Sequence, residues 1–283
     1  MRWTDLAAPL SFVWPAVETY HAHRGSVRAL EDLAYAEGGH PKQRLDLFLP
    51  AEGEGWPLLA FIHGGAWKAQ DRRFWRGLTG LYGNVGIALA RRGVAAAILG
   101  YRQHPGATGE DSAADLRGAL GWLAARADEH GYRADRLVLA GHSAGGHLAT
   151  ALAMARGPAL RGLRGVVSLG GFYDVARMAA ALDRSSGRAL RAIFGGTDEA
   201  LAAWSPERAA QQGGPPLLLG IGAAEPPALR AEHAAMVEAC RGAGVLVESF
   251  EVPGASHMGL VMQMGSRRDQ VTEVVELFVR RAT

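Results

Sequence analysis

A single α/β domain built on one mostly parallel, doubly wound sheet is what this sequence predicts. Three observations carry that expectation. Apolar runs bounded by glycine or proline alternate with helical stretches along the 283 residues. The connections between them are short. Several runs are apolar throughout, as strands covered on both faces must be. A chain of this length buries a core that needs no disulfide or metal staple. Its one cysteine, Cys240, excludes an internal disulfide framework and reads as a small buried hydrophobe.

The elements follow in order. Residues 1–35 read as an irregular or helical leader with scattered aromatics (Trp3, Phe12, Trp14, Tyr20), placed to cover a site or a sheet edge. Residues 44–50 alternate like an edge or antiparallel strand, and Pro50 ends it. Residues 57–62 and 94–101 are continuous apolar runs, separated by a helical stretch at 84–92 that Gly93 closes. Residues 111–130 carry apolar side chains at helical spacing (Leu116, Leu120, Leu123, Ala127). Strands are expected at 136–140, 165–170, 216–222 and 245–252, with helices at 146–153, 228–241 and 269–281. Counting the sheet at about eight strands, the long excursion at 172–212 stands out. Its aromatics (Phe172, Tyr173, Phe194, Trp204) suit a helical cap over the strand ends, or a plain surface insertion.

Composition narrows the partners. A net charge of +2 asks for no polyanion, so no nucleic-acid partner is expected. The pairs Arg72-Arg73 and Arg267-Arg268 read as solvated faces. No stretch approaches the ~18 consecutive apolar residues of a membrane span, and Met1 to Leu6 opens no signal peptide. A cytoplasmic protein without a membrane partner is the expectation, with a homodimer allowed for.

Gly141-His-Ser-Ala-Gly145 carries the chemistry. It follows an apolar strand and opens a helix, the order a nucleophile elbow requires. The turn lifts the Ser143 hydroxyl off the sheet and aims a helix N-terminus at negative charge formed beside it. A serine hydroxyl needs an imidazole base, and that base an orienting carboxylate. In such sheets these follow the serine in the order acid, then histidine. His257, in the loop after strand 245–252, is the candidate base. Glu225, after strand 216–222, is the candidate acid, and Pro226-Pro227 suits the start of the next helix. Asp174 and Asp198 are the rival carboxylates. Phe61-Ile-His63-Gly64-Gly65-Ala66-Trp67 follows a buried strand, where backbone N–H donors for an oxyanion belong; Gly65, Ala66 and Ala144 are assigned that role. His63 reads as a brace for its loop, and His142 and His147 as packing residues. No H-E-x-x-H, C-x-x-C, clustered carboxylates or phosphate loop is present, so neither metal nor cofactor is expected.

His63-Gly-Gly-Ala-Trp67, Tyr101-Arg102 and Gly141-His-Ser-Ala-Gly-Gly-His-Leu-Ala149 resemble the hormone-sensitive-lipase-like carboxylesterases of the α/β-hydrolase fold. The resemblance covers about residues 43–283. The His-Gly-Gly-x-Trp form is similar to a subgroup of kynurenine formamidases, feruloyl-esterase-like bacterial enzymes and prenylcysteine methylesterases. Residues 193–201 with Trp204-Ser-Pro-Glu207 look most like the last of these. Glu225 stands where the family usually has aspartate. The resemblance implies a serine carboxylic ester hydrolase that forms an acyl-enzyme on small acyl or aryl esters, with an aryl formamidase as its alternative. A non-catalytic binding protein on the same fold is the contrasting expectation. Trp67, Phe172, Tyr173 and Met258 are candidate substrate-pocket walls, or core.

Overall fold

The computed structural model describes residues 13–74, 79–154, 160–210 and 214–283. In chain order it has α1 (Trp14–His23), β1 (Arg28–Ala34), β2 (Arg44–Leu49), β3 (Trp56–Ile62), α2 (Gly83–Ala90), β4 (Ala95–Leu99), α3 (Gly109–Ala125), α4 (Ala127–His130), β5 (Tyr132–His142) and α5 (Ala144–Met154). It continues with β6 (Leu163–Leu169), α6 (Val175–Ala181), α7 (Arg184–Ile193), α8 (Asp198–Ala203), α9 (Pro206–Ala209), β7 (Leu217–Gly222), α10 (Pro227–Gly242), β8 (Val247–Val252), α11 (Gly259–Met262) and α12 (Thr272–Ala282).

The eight strands form one sheet in the order β1-β2-β4-β3-β5-β6-β7-β8. β1 and β2 pair antiparallel, as do β2 and β4; every later pairing is parallel. The continuous apolar runs divide by the two-residue period of a strand. Leu58, Ala60 and Ile62 of β3 join Ala95, Ala97, Leu137 and Leu139 in a first core under α3, α5 and α10. Leu59 and Phe61 face the other way, with Ala96, Ile98, Val138 and Ala140, into a second core under α1, α2 and α12. Both faces are covered, which is why these strands carry no polar alternation.

Three expectations are corrected. Residues 28–34 are strand β1, not an irregular or helical leader. The register of β1 on β2 shifts between Leu30 and Leu33, where Asp32 takes φ +65°. That irregularity breaks the alternation by which a strand is read. Leader residues 1–12, with Trp3 and Phe12, lie outside the described residues. The helix expected over 111–130 is two helices, α3 and α4, interrupted at Arg126. α3 starts earlier than expected, because Thr108 and Asp111 close a capping box around it.

Arg72-Arg73 is the third. The Arg72 side chain is 6% exposed. Its guanidinium pairs with Asp32, with Asp46 at 3.4 Å and with Asp71 at 3.3 Å. Arg73 reaches Asp46 at 2.8 Å and Glu31 at 3.3 Å. The pair is an ionic anchor tying the segment after β3 to β1 and β2. Asp46, between Leu45 and Leu47 of β2, supplies the buried countercharge.

The excursion at 172–212 is helical as expected: α6 to α9. Its last residues, 211–212, lie outside the described residues. Its base is tied down by polar contacts. Glu232 of α10 accepts the Tyr173 and Asp174 N–H groups at 2.8 and 2.9 Å and pairs with Arg177. His147 Nε2 of α5 meets the Trp204 carbonyl at 2.7 Å.

Candidate active site

Every chemically notable residue sits just past the C-terminal end of a parallel strand, where open α/β sheets place their ligands. β3 leads to His63, β5 to Ser143, β6 to Gly170, β7 to Glu225 and β8 to His257.

The elbow shows why its glycines are needed. Ser143 has φ +57°, a left-handed backbone that costs a non-glycine residue about 1–2 kcal/mol. A Cβ on Gly141 would lie 2.3 Å from the Gly145 carbonyl. One on Gly145 would lie 2.1 Å from the Ile62 carbonyl oxygen. Neither neighbour can yield, because both are backbone. The turn is locked to the next strand by Ser143 N–H donating to the Leu169 carbonyl at 2.8 Å.

Glu225 and His257 meet directly. His257 Nδ1 lies 2.9 Å from Glu225 Oε1 and 3.0 Å from Oε2. Among the described residues the imidazole is the carboxylate's only hydrogen-bond partner. A carboxylate can only accept, so Nδ1 carries a proton, and in the neutral tautomer of this ring the lone pair is on Nε2. That Nε2 is buried and makes no hydrogen bond. The Ser143–His257 hydrogen bond is therefore not made in this structure. Gly170 closes over the pair: a Cβ there would come within 3.0 Å of Glu225 Oε1 and 3.1 Å of His257 Nδ1. The rival carboxylates are engaged elsewhere. Asp174 caps α6 and pairs with Arg208 at 2.9 Å; Asp198 is exposed and pairs with Arg191.

The loop after β3 holds four positive φ angles: Gly65 at +118°, Ala66 at +53°, Trp67 at +59° and Gln70 at +67°. A Cβ on Gly65 would sit 1.9 Å from the Ala69 carbonyl oxygen, so only glycine fits. Gly64 N–H is taken by the Tyr82 hydroxyl at 3.0 Å. Among the described residues nothing accepts from the Gly65, Ala66 or Ala144 N–H groups. His63 braces the loop, as expected. Its Nδ1 lies 2.7 Å from the Gly64 carbonyl, and its ring stacks on Tyr101 at 4.6 Å. Burial pushes its pKa down to about 4, so the ring is neutral.

The four candidate pocket walls are buried. Trp67 and Phe172 pack with Phe194 and His147 in the first core, Tyr173 donates to Ser168 Oγ at 2.8 Å, and Met258 belongs to the second core. The core alternative describes their packing. Sequence reasoning missed two residues at the site. Tyr82 has no motif to mark it. His142, read as packing, turns a ring nitrogen to the His257 carbonyl. Among the described residues no group of three or more His, Cys, Asp or Glu is placed to hold a metal ion, and no helix is long and apolar enough to cross a membrane.

Comparison with known proteins places this arrangement. The BD-FAE family model matches residues 45–227. The chain belongs to the BD-FAE family. The matched span holds the loop after β3, the elbow and Glu225. A probable isoprenylcysteine alpha-carbonyl methylesterase of Arabidopsis thaliana is 33% identical over 114 residues, which is 40% of this chain and 25% of that one. A probable carboxylic ester hydrolase of Mycobacterium tuberculosis is 32% identical over 139 residues, covering 47% and 29% of the two chains. The kynurenine formamidase of Drosophila melanogaster is 29% identical over 126 residues, covering 44% and 38%. This BD-FAE chain thus matches only about a quarter of the length of the plant methylesterase. In fold it resembles esterase B from Lactobacillus rhamnosis, with a TM-score of 0.78, 22% identity and coverage of 94% and 90%. It also resembles a hyperthermophilic esterase from Pyrobaculum calidifontis, with a TM-score of 0.74, 21% identity and coverage of 96% and 90%. These structures share the α/β-hydrolase fold that the BD-FAE chain adopts.

Proposed function

We propose that this chain is a serine carboxylic ester hydrolase acting on small acyl or aryl esters. The observation that carries the reading is the buried Glu225–His257 pair, whose imidazole keeps an unpartnered Nε2. His63, His147 and His233 also leave one buried ring nitrogen without a partner, but their other nitrogen faces a carbonyl or a hydroxyl; only that of His257 faces a carboxylate, which would stabilise a proton gained at the bare one. A base awaiting a proton must leave one nitrogen bare.

The mechanism follows from these groups. Ser143 Oγ attacks the ester carbonyl as His257 Nε2 takes its proton, and the carbonyl π pair moves onto oxygen. Glu225 steadies the imidazolium across Nδ1. The N–H groups of Gly65, Ala66 and Ala144 hold the oxyanion, each donor being worth ~10²–10³ in rate. The tetrahedral intermediate collapses, the C–O bond breaks, and the alcohol leaves with the His257 proton. Water, deprotonated by His257, then attacks the acyl-enzyme and releases the acid and Ser143. Catalytic hydrogen bonds are commonly long in a free enzyme and tighten with substrate, as the Ser143–His257 bond must here. Trp67 and Phe172 support the cap behind this site as packed aromatics.

One comparison favours a second reading. The match to a kynurenine formamidase makes an aryl formamide an alternative substrate for the same groups. Purified protein assayed on p-nitrophenyl acetate and on N-formylkynurenine separates the two. Fluorophosphonate should label Ser143, and Ser143→Ala should abolish both labelling and turnover. A wild type that is inert toward both substrates and unlabelled would refute the hydrolase reading and favour a binding protein.

A further inference from the structure

Three loops must keep fixed positions for the proposed chemistry: the donor loop after β3, the elbow after β5 and the base loop after β8. One buried polar chain links all three. The Tyr82 hydroxyl accepts the Gly64 N–H at 3.0 Å, donates to Gln70 Oε1 at 2.9 Å and lies 3.4 Å from His142 Nδ1. His142 Nε2 lies 3.0 Å from the His257 carbonyl oxygen. Gly64 and Gln70 belong to the donor loop, His142 is the elbow residue before Ser143, and His257 is the proposed base.

We infer that Tyr82 and His142 are positioning residues that set the donor loop and the His257 ring relative to Ser143. The inference rests on the hydrolase reading above. The chemistry of the chain fixes its proton arrangement. A carbonyl only accepts, so His142 Nε2 carries a hydrogen and Nδ1 a lone pair, and the single Tyr82 hydroxyl proton is shared between Gln70 Oε1 at 2.9 Å and that lone pair at 3.4 Å. Burial and the neighbouring His257 push the His142 pKa well below the ordinary value, so the ring stays neutral. Neutrality matters because the two imidazoles lie 4.7 Å apart between centroids. A charged His142 would oppose the imidazolium that His257 forms in the transition state.

Two observations argue against plain packing. Tyr82 is held at φ +70°, a left-handed backbone that an aromatic residue rarely adopts. Gly64 is shaved to fit: a Cβ there would lie 3.0 Å from the Tyr82 hydroxyl and 3.1 Å from His142 Nδ1. The hydroxyl also takes up the Gly64 N–H, so that donor is withdrawn from the oxyanion and Gly65 and Ala66 are left facing it.

The test compares Tyr82→Phe, His142→Ala and His142→Gln with wild type on p-nitrophenyl acetate. Circular dichroism and Tm check the fold, and fluorophosphonate labelling rates report Ser143 reactivity. Misplacing reacting groups by ~1 Å costs on the order of 10²-fold. Y82F and H142A should lose about 10–100-fold in kcat with KM within about threefold, and label correspondingly slowly. H142Q keeps an amide N–H where Nε2 was and should recover most of the loss, which a space-filling role would not require. The kcat/KM profile of H142A should also shift its acidic limb, because the His257 carbonyl loses its donor. Should Y82F fail to fold, the H142A and H142Q pair still decides. Wild-type kcat and labelling in folded Y82F and H142A overturn the inference while leaving the hydrolase reading intact. An inert wild type overturns both.

Discussion

Removing the charge of Glu225 while keeping its shape tests the heart of the proposed site. Glu225→Gln leaves a side chain of equal size in a pocket where the native one is fully buried, against His257 Nδ1 at 2.9 Å. Two effects follow. The carboxylate no longer steadies the imidazolium. At an effective dielectric of ~20, a unit charge about 3–4 Å away is worth about 4–6 kcal/mol. The glutamine amide can also donate to Nδ1, which moves the ring proton to Nε2 and removes the base. At ~1.4 kcal/mol per tenfold, the electrostatic effect alone amounts to ~10³–10⁴ in rate. That range agrees with the ~10⁴ lost when a triad aspartate becomes asparagine in a serine protease. The assay is kcat for p-nitrophenyl acetate between pH 6 and 9, with Tm as the control for folding. Asp174→Asn should leave kcat near wild type, since its cap survives and only the Arg208 pair is lost. Activity of E225Q within tenfold of wild type, with collapse in D174N, would refute the assignment of the acid.

Other consequences can be measured directly. Gly145→Ala drives a methyl into the Ile62 carbonyl and should cost about 3 kcal/mol or more in urea denaturation; unchanged stability would mean the elbow is looser than described. Arg72→Leu leaves Asp46 buried with Arg73 as its remaining cation and should cost about 3 kcal/mol by the same method. Burial pushes His63, His147 and His233 down to about 4. The unfolded chain, with histidine near 6.5, then binds more protons than the folded one as pH falls from 6.5 towards 4. Stability is complete above that window and falls through it. His147→Gln, which can still donate to the Trp204 carbonyl, should flatten the dependence of Tm on pH between 6.5 and 4.5; an unchanged slope would show that His147 is protonated in the fold.

What could be read from the sequence was local, and what could not was distant. The elbow is legible because close approach of backbone to backbone at Gly141 and Gly145 leaves a pattern inside five residues. Glu225 and His257 are legible because each follows a strand in an order the sheet imposes. β1 escaped because a residue with φ +65° interrupts its alternation. Arg72 was misread because its partners Asp32 and Asp46 come from strands earlier in the chain, and a pair of arginines carries no mark of burial. The Tyr82–His142 chain joins residues 60 positions apart and reaches a carbonyl 115 positions on, so no local pattern records it.

The distribution of strain explains why those distant contacts exist. Ala66, Trp67 and Gln70 each hold a left-handed backbone, at about 1–2 kcal/mol apiece. A loop left to itself would relax, and its N–H groups would turn away from a developing oxyanion. Preorganised donors stabilise a transition state only if they need no reorganisation when the charge forms. The loop is therefore pinned from outside the site. Lys42 Nζ donates to the Gln70 carbonyl at 2.5 Å, and Gln103 Nε2 to the Ala69 carbonyl at 2.6 Å. The Tyr82 hydroxyl holds Gly64, and Arg72 and Arg73 fasten the following residues to Asp46. None of these pins is a member of the proposed triad or offers a proposed donor N–H. They offset the strain of the loop that carries the proposed donors Gly65 and Ala66, and that gives the buried Asp46 of β2 a purpose: on the proposed mechanism, part of what the oxyanion requires is supplied by a carboxylate two strands away.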